Sequence, residues 1–153
     1  MEKGMRQIYQ GTKFVCAEPM TLQAYNDVRG WTLPENEQGR GGDAGYLVEY
    51  MDGGKPNTPD YAGYVSWSPE AIFDNAYVAL PDCHRDTPDW LLRLHGERVT
   101  LDNRIAKLRT FTESDSFAGM IGDMRDVMIC QLSLMEQFSA LLARRIKLIK
   151  KNR

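Results

Sequence analysis

The 153-residue chain has little of what catalysis and metal binding require. It carries only two histidines, His84 and His95, with no ligand-like neighbours, and three cysteines, Cys16, Cys83 and Cys130, far apart. No CxxC or zinc spacing occurs, so reduced thiols and no metal site are expected. GxSxG, a Walker loop, GxGxxG after a strand, HExxH and an EF-hand loop are all missing. The string Gly39-Arg40-Gly41-Gly42 neither follows a strand nor opens a helix, and reads as a flexible loop rather than a phosphate cradle. Nothing selects a carboxylate pair for acid–base work. An enzyme is therefore disfavoured and no cofactor is implied. No apolar run reaches membrane-spanning length and the amino terminus lacks a signal-peptide pattern, so a cytoplasmic location without a membrane partner is expected.

What is present is a globular composition, 42% hydrophobic and 26% charged, too apolar for disorder. The net charge of −2 hides an asymmetry. Residues 1–84 hold 6 Lys/Arg against 12 Asp/Glu, a balance of −6, and residues 85–153 hold 13 against 9, a balance of +4. A basic carboxy half points to an anionic partner, or to an ordinary solvated helix surface of mixed charge. The acidic pI of about 5.7 disfavours DNA or RNA.

The patterning predicts an α+β protein in two parts: a small α+β module at 1–80 with an antiparallel sheet, a linker at 81–86, and an α-helical hairpin at 87–153 that oligomerises. In the module, Thr12–Ala17 reads as a strand and Thr21–Arg29 as a helix capped by Thr21 and ended by Gly30. Leu33–Asp43 reads as a mobile loop. Gly45–Met51 and Tyr61–Trp67 read as antiparallel strands around a turn at Asp52–Asn57. Ser68-Pro69 reads as a cap and first-turn proline opening a helix through Tyr77, and Thr87-Pro88 repeats that start for the hairpin.

The hairpin helices are predicted at about Pro88–Phe111 and Asp123–Ile149. Leu91, Leu94, Leu101, Ile105 and Leu108 mark one apolar stripe. Ile121, Met124, Met128, Leu132, Met135, Phe138, Leu142, Ile146 and Ile149 mark the other. Phe117, Met120 and Ile121 are expected to pack the turn against the hairpin. Two helices that bury one face each leave apolar surface over, which other copies should cover.

Binding residues are sought on these helices. Trp90, near the start of the first, suits either the core or stacking on a nucleobase. Arg104 and Lys107 share one face, with Arg98 rotated away by about 120°. The pair can clamp a phosphate or simply line an exposed face. Arg144, Arg145, Lys147, Lys150, Lys151 and Arg153 crowd the carboxy end, where cations also complement the helix dipole. Arg145 is taken from that cluster as a further ligand-binding candidate.

The stretch Pro88-Asp89-Trp90, then Glu97-Arg98-Val99 through Asp102-Asn103-Arg104-Ile105-Ala106-Lys107-Leu108 to Phe111, resembles the phage anti-CBASS sponge family, anti-CBASS protein two. So does the run Met128, Gln131, Met135, Phe138-Ser139, Leu142-Ala143-Arg144-Arg145-Ile146. The resemblance implies a compact helical protein that assembles as a homohexamer. It also implies sequestration, without cleavage, of cyclic dinucleotides such as cGAMP between protomer pairs and of cyclic trinucleotides in a separate pocket. Trp90 then corresponds to a base-stacking aromatic, and Arg104 or Lys107 to a phosphate-binding lysine. Arg98 and Arg104 stand where lysines are common in the family, and Phe138 where tyrosine is common. Arginine keeps the charge but not the geometry.

In the amino half, Tyr25, Arg29-Gly30-Trp31, Gly45-Tyr46-Leu47-Val48-Glu49-Tyr50, Asp52-Gly53-Gly54 and Gly63-Tyr64-Val65-Ser66-Trp67-Ser68-Pro69 resemble a small phage module. That module precedes various carboxy-terminal domains, including Thoeris anti-defence sponges. The resemblance implies an accessory or docking domain. The rival to a sponge is accordingly an oligomeric protein-interaction module that binds a host protein through its aromatic amino-terminal part.

Overall fold

A computed structural model of the protein describes residues 6–152. The chain forms two compact units, residues 1–77 and 78–153. The fold is α+β: a small antiparallel sheet with helices, then a helical hairpin.

In the first unit, β1 (Val15–Pro19), β2 (Gly45–Tyr50) and β3 (Val65–Pro69) form an antiparallel sheet in the order β1-β2-β3. The central strand is the most buried one, with Leu47, Val48 and Glu49 all enclosed. Both outer strands lie later in the chain than their patterns predict. The register explains the shift: Val15 pairs with Tyr50 and Pro19 with Tyr46, while Glu49 pairs with Val65 and Gly45 with Pro69. The span of β2 thus selects which residues of its neighbours are strand, and the two prolines stand at the ends of edge strands, where a missing N–H is tolerated. The outer edge of β3 is partly covered by Asn57, whose side chain donates to the Val65 carbonyl and accepts from the Val65 N–H, both at 2.9 Å.

Helix α1 (Leu22–Arg29) forms as its caps predict. Thr21 Oγ1 accepts from the Ala24 N–H at 3.2 Å, and Gly30 closes the helix at φ 66°, a left-handed conformation suited to glycine. The expected mobile loop contains a 3-10 helix at Glu35–Arg40, tied to α1 by Gln23 N–H to the Gly41 carbonyl and Leu22 N–H to the Asp43 carbonyl. Tyr25, Leu47 and Val65 make the core, with Met20, Val28, Tyr61 and Trp67 packed around it. Gly45 is needed here, because a methyl group on it would overlap the Trp67 ring and the Ser68 carbonyl. Helix α2 (Glu70–Ala76) places Phe73 between Tyr46 and Tyr77 in a continuous ring stack, at 4.2 and 4.8 Å. Ser68 does not cap α2. Pro69, extended at φ −55° and ψ 142°, takes that position itself.

In the second unit, α3 (Asp89–Thr112) and α5 (Gly122–Lys151) run antiparallel, joined through the single turn α4 (Asp115–Ala118). Leu91 and Leu94 of α3 pack with Leu142 and Ile146 of α5. The alignment is pinned by Arg109 to Glu136, by the Ser139 hydroxyl to Asp102, and by Lys150 to Asp82 at 3.5 Å. Pro88 again occupies the cap position, and Thr87 Oγ1 instead accepts from the His84 N–H. Leu92 and His95 lie outside the predicted stripe and are also buried. Asp82, Lys150 and Arg98 are the charges beside His95.

The helices have unequal lengths. At about 1.5 Å per residue, α3 spans about 36 Å and α5 about 45 Å. The first two turns of α5 therefore extend past the end of α3. This corrects the predicted packing of the turn: Phe117 meets Phe111 edge-on at 6.0 Å, but Ile121 is 74% exposed and Met124 is exposed too. Among the described residues, no helix is long and apolar enough to cross a membrane.

Candidate ligand-binding site on the helical hairpin

Trp90 is the second residue of α3. Its indole is 51% exposed, so it is not a core side chain. Arg104 and Lys107 are exposed on the same helix and make no ion pair among the described residues. Trp90 and Arg104 are 14 residues apart, hence within about 40° of each other around the axis but about 21 Å apart along it. A single hairpin therefore does not bring ring and guanidinium to one compact ligand.

Arg98 is in a different state. It is half-buried, 3.6 Å from Asp102, and its Nε is enclosed without a hydrogen bond. Asp102 in turn accepts from Ser139, so Arg98 sits in a polar cluster that joins α3 to α5. Arg145 is exposed, next to buried Ile146 and so at the same end of the hairpin as Trp90. The structure thus brings Trp90 and Arg145 to one end, leaves Arg104 and Lys107 near the middle, and ties Arg98 into the helix–helix contact. Arg153 lies outside the described residues.

An open groove of about 720 Å³ runs along α5, lined by Asp126, Val127, Cys130, Gln131, Leu134, Met135 and Phe138. Its walls belong to one helix, and its lining is almost wholly apolar. Val127, Leu134, Leu141 and Leu148 recur every seventh residue and all are exposed. Gln131, Phe138 and Arg145 fall between them, which completes a seam of heptad spacing. This second stripe was missed at the sequence level because the 3.6-residue core stripe on the same helix masks it. The signal was the strict repeat of seven. Arg145 lies inside that seam.

Among the described residues no cluster of His, Cys, Asp and Glu can hold a metal, and no disulfide forms. Cys83 is half-buried, and burial together with Asp82 raises its thiol pKa, away from the thiolate that nucleophilic chemistry needs.

The second unit is thus a basic helical hairpin with an exposed apolar seam and an outward-facing tryptophan. Residues 88–148, which run from the start of α3 almost to the end of α5, match the family model described as Sequestin. Sequestin is the anti-CBASS family that the hairpin motifs resemble. Searches of the curated proteins and of the solved structures return no match.

Proposed function

We propose that the protein is a phage immune-evasion protein that sequesters cyclic oligonucleotide second messengers without cleaving them and so blocks CBASS-type signalling. The ligands are cyclic dinucleotides such as cGAMP, cyclic trinucleotides, or both. The protein acts in the cytoplasm of the host bacterium, during infection or from a prophage. The hairpin domain, 87–153, is the sponge. The module at 1–80 is an accessory, joined to it through 81–86. The observation that carries this reading is the Sequestin match over 88–148.

The chemistry of the hairpin is consistent with it. A sponge needs affinity and slow release rather than reactive groups. Trp90 supplies a stacking face, and Arg104, Lys107 and Arg145 supply cations for phosphates; Arg98, on another side of α3 and paired with Asp102, is the remaining cation of the set. The heptad seam on α5 is the surface through which copies associate, up to the hexamer typical of the family. Sites assembled between copies bring together groups that one hairpin holds about 21 Å apart.

Isothermal titration of the purified assembly against a panel of cyclic di- and trinucleotides tests the proposal. Binding of at least one, with the nucleotide recovered intact, is expected. Replacing Trp90, Arg104 and Lys107 together by Ala should weaken it about a hundredfold or more, given roughly 1–3 kcal/mol for a stacked base and for each charged hydrogen bond. No heat at micromolar ligand, or recovery of linear products, defeats the proposal.

A further inference from the structure

We infer that the amino-terminal unit carries a separate site, a groove for an extended, proline-containing polypeptide with a basic residue beside its prolines. The groove holds about 410 Å³ and is walled by Trp31, Pro34 and Trp67, with Tyr25 and Leu33 as its buried floor and Glu37 among its lining. The local fold builds it. The left-handed Gly30 ends α1 and turns the chain so that Trp31 stands out from Tyr25, edge-on at 6.2 Å. Leu33 then anchors the chain, and Pro34 opens the 3-10 helix that carries Glu37.

Two of the three rings are locked. Trp67 Nε1 donates to the Met20 carbonyl at 2.8 Å, and Tyr25 Oη accepts from Arg29 at 2.9 Å. Trp31 is different: it is 52% exposed, and its indole N–H makes no hydrogen bond among the described residues. Pre-set aromatic walls with one unused indole donor suit a polyproline II chain. Such a chain has no internal hydrogen bonds, offers bare carbonyls, packs flat rings against aromatic faces and loses little entropy on binding.

Charge decides between this occupant and its competitors. The Arg29 guanidinium lies 4.0 Å from the centre of the Trp31 ring and 5.9 Å from that of Tyr25. A quaternary ammonium ligand would have to displace that cation from the ring faces, which argues against an aromatic cage for cations. Glu37 makes no ion pair among the described residues, and residues 1–84 carry a balance of −6. Both favour a lysine or arginine flanking the prolines over a phosphate, the Arg29 cation being engaged by the Tyr25 hydroxyl and the Trp31 ring.

The test uses the full chain and three pools of labelled peptides: proline-rich with flanking Arg, proline-rich with flanking Glu, and Gly/Ser-rich with flanking Arg. Fluorescence polarisation should show binding of the first pool, weaker binding of the second and none of the third. Trp31→Ala should weaken binding about tenfold or more. Glu37→Gln should abolish the preference for Arg over Glu while retaining the need for proline. In NMR spectra of the unaltered protein, the Trp31 indole N–H should shift on titration with the first pool, and the Trp67 indole much less. No binding by either proline-rich pool, equal binding of the Gly/Ser pool, or an unmoved Trp31 signal overturns the inference. Because the readouts lie in the amino-terminal unit, failure of nucleotide binding by the hairpin does not affect them.

Discussion

His95 shows how a single side chain couples the hairpin to pH. It is buried on α3, and burial lowers its pKa from the ordinary 6.5; Asp82 pulls it back up, while Lys150 and Arg98 push it further down. The folded protein therefore holds a neutral imidazole where the unfolded chain takes up a proton more readily. That contribution to stability is present above 6.5 and is lost as pH falls through the depressed folded pKa. The thermal midpoint of the second unit should fall as pH drops below 6.5, and His95→Gln should flatten the dependence. An unchanged slope in that variant would assign the acid sensitivity to other groups. Tyr61 shifts the opposite way for a different reason. Its hydroxyl donates to Glu18, which pushes its pKa up to about 12 and keeps it a donor at every working pH.

At the scale of the element, α5 carries two apolar faces. One face, with Leu142 and Ile146, closes the core against α3. The other, with Val127, Leu134, Leu141 and Leu148, faces water in one chain. An apolar seam of that length on a surface helix marks an interaction site. Leu134 is exposed, so Leu134→Asp should change the stability of an isolated hairpin by no more than about 0.5 kcal/mol. It should nevertheless break the assembly, because it places a carboxylate in the seam. Sedimentation or light scattering should show a shift to smaller species with an unaltered circular dichroism spectrum. An assembly that keeps its mass would place the interface elsewhere.

At the scale of the whole molecule, binding and assembly are one property if ligand sites form between copies. Trp90 and Arg104 lie on one side of α3 but about 21 Å apart, so under the proposed function a shared ligand would draw them from different chains. That gives a test by complementation. Trp90→Ala and an Arg104→Ala, Lys107→Ala double variant should each fail to bind the nucleotide alone. Mixed by co-refolding, they should recover part of the binding, because some sites then receive both intact partners. No recovery in demonstrably mixed assemblies would mean that each chain holds its ligand by itself.

Much of this was legible in the residues. The α+β class, the antiparallel pairing, the caps of α1 and both hairpin helices follow from local chemistry. Thr21, Gly30 and the spacing of Leu91, Leu94, Leu142 and Ile146 act within a few residues of themselves. The displacement of β1 and β3 was not legible, since an edge strand is defined by what its neighbour offers, and the pairing of Pro19 with Tyr46 lies in neither segment alone. Nor was the half-exposure of Trp90, because an indole on a helix can turn to either side.

The sequence by itself determined two helices with one apolar stripe each, the charge imbalance between the halves, and the motifs that resemble a sponge family. Only the tertiary structure decided that α5 overhangs α3, that its heptad seam faces outward, that Arg98 is committed to Asp102, and that Trp31, Tyr25 and Trp67 converge on one groove. The reason is physical. Periodicity and capping are written into neighbouring residues, whereas exposure and convergence depend on which surfaces remain after distant parts of the chain have packed.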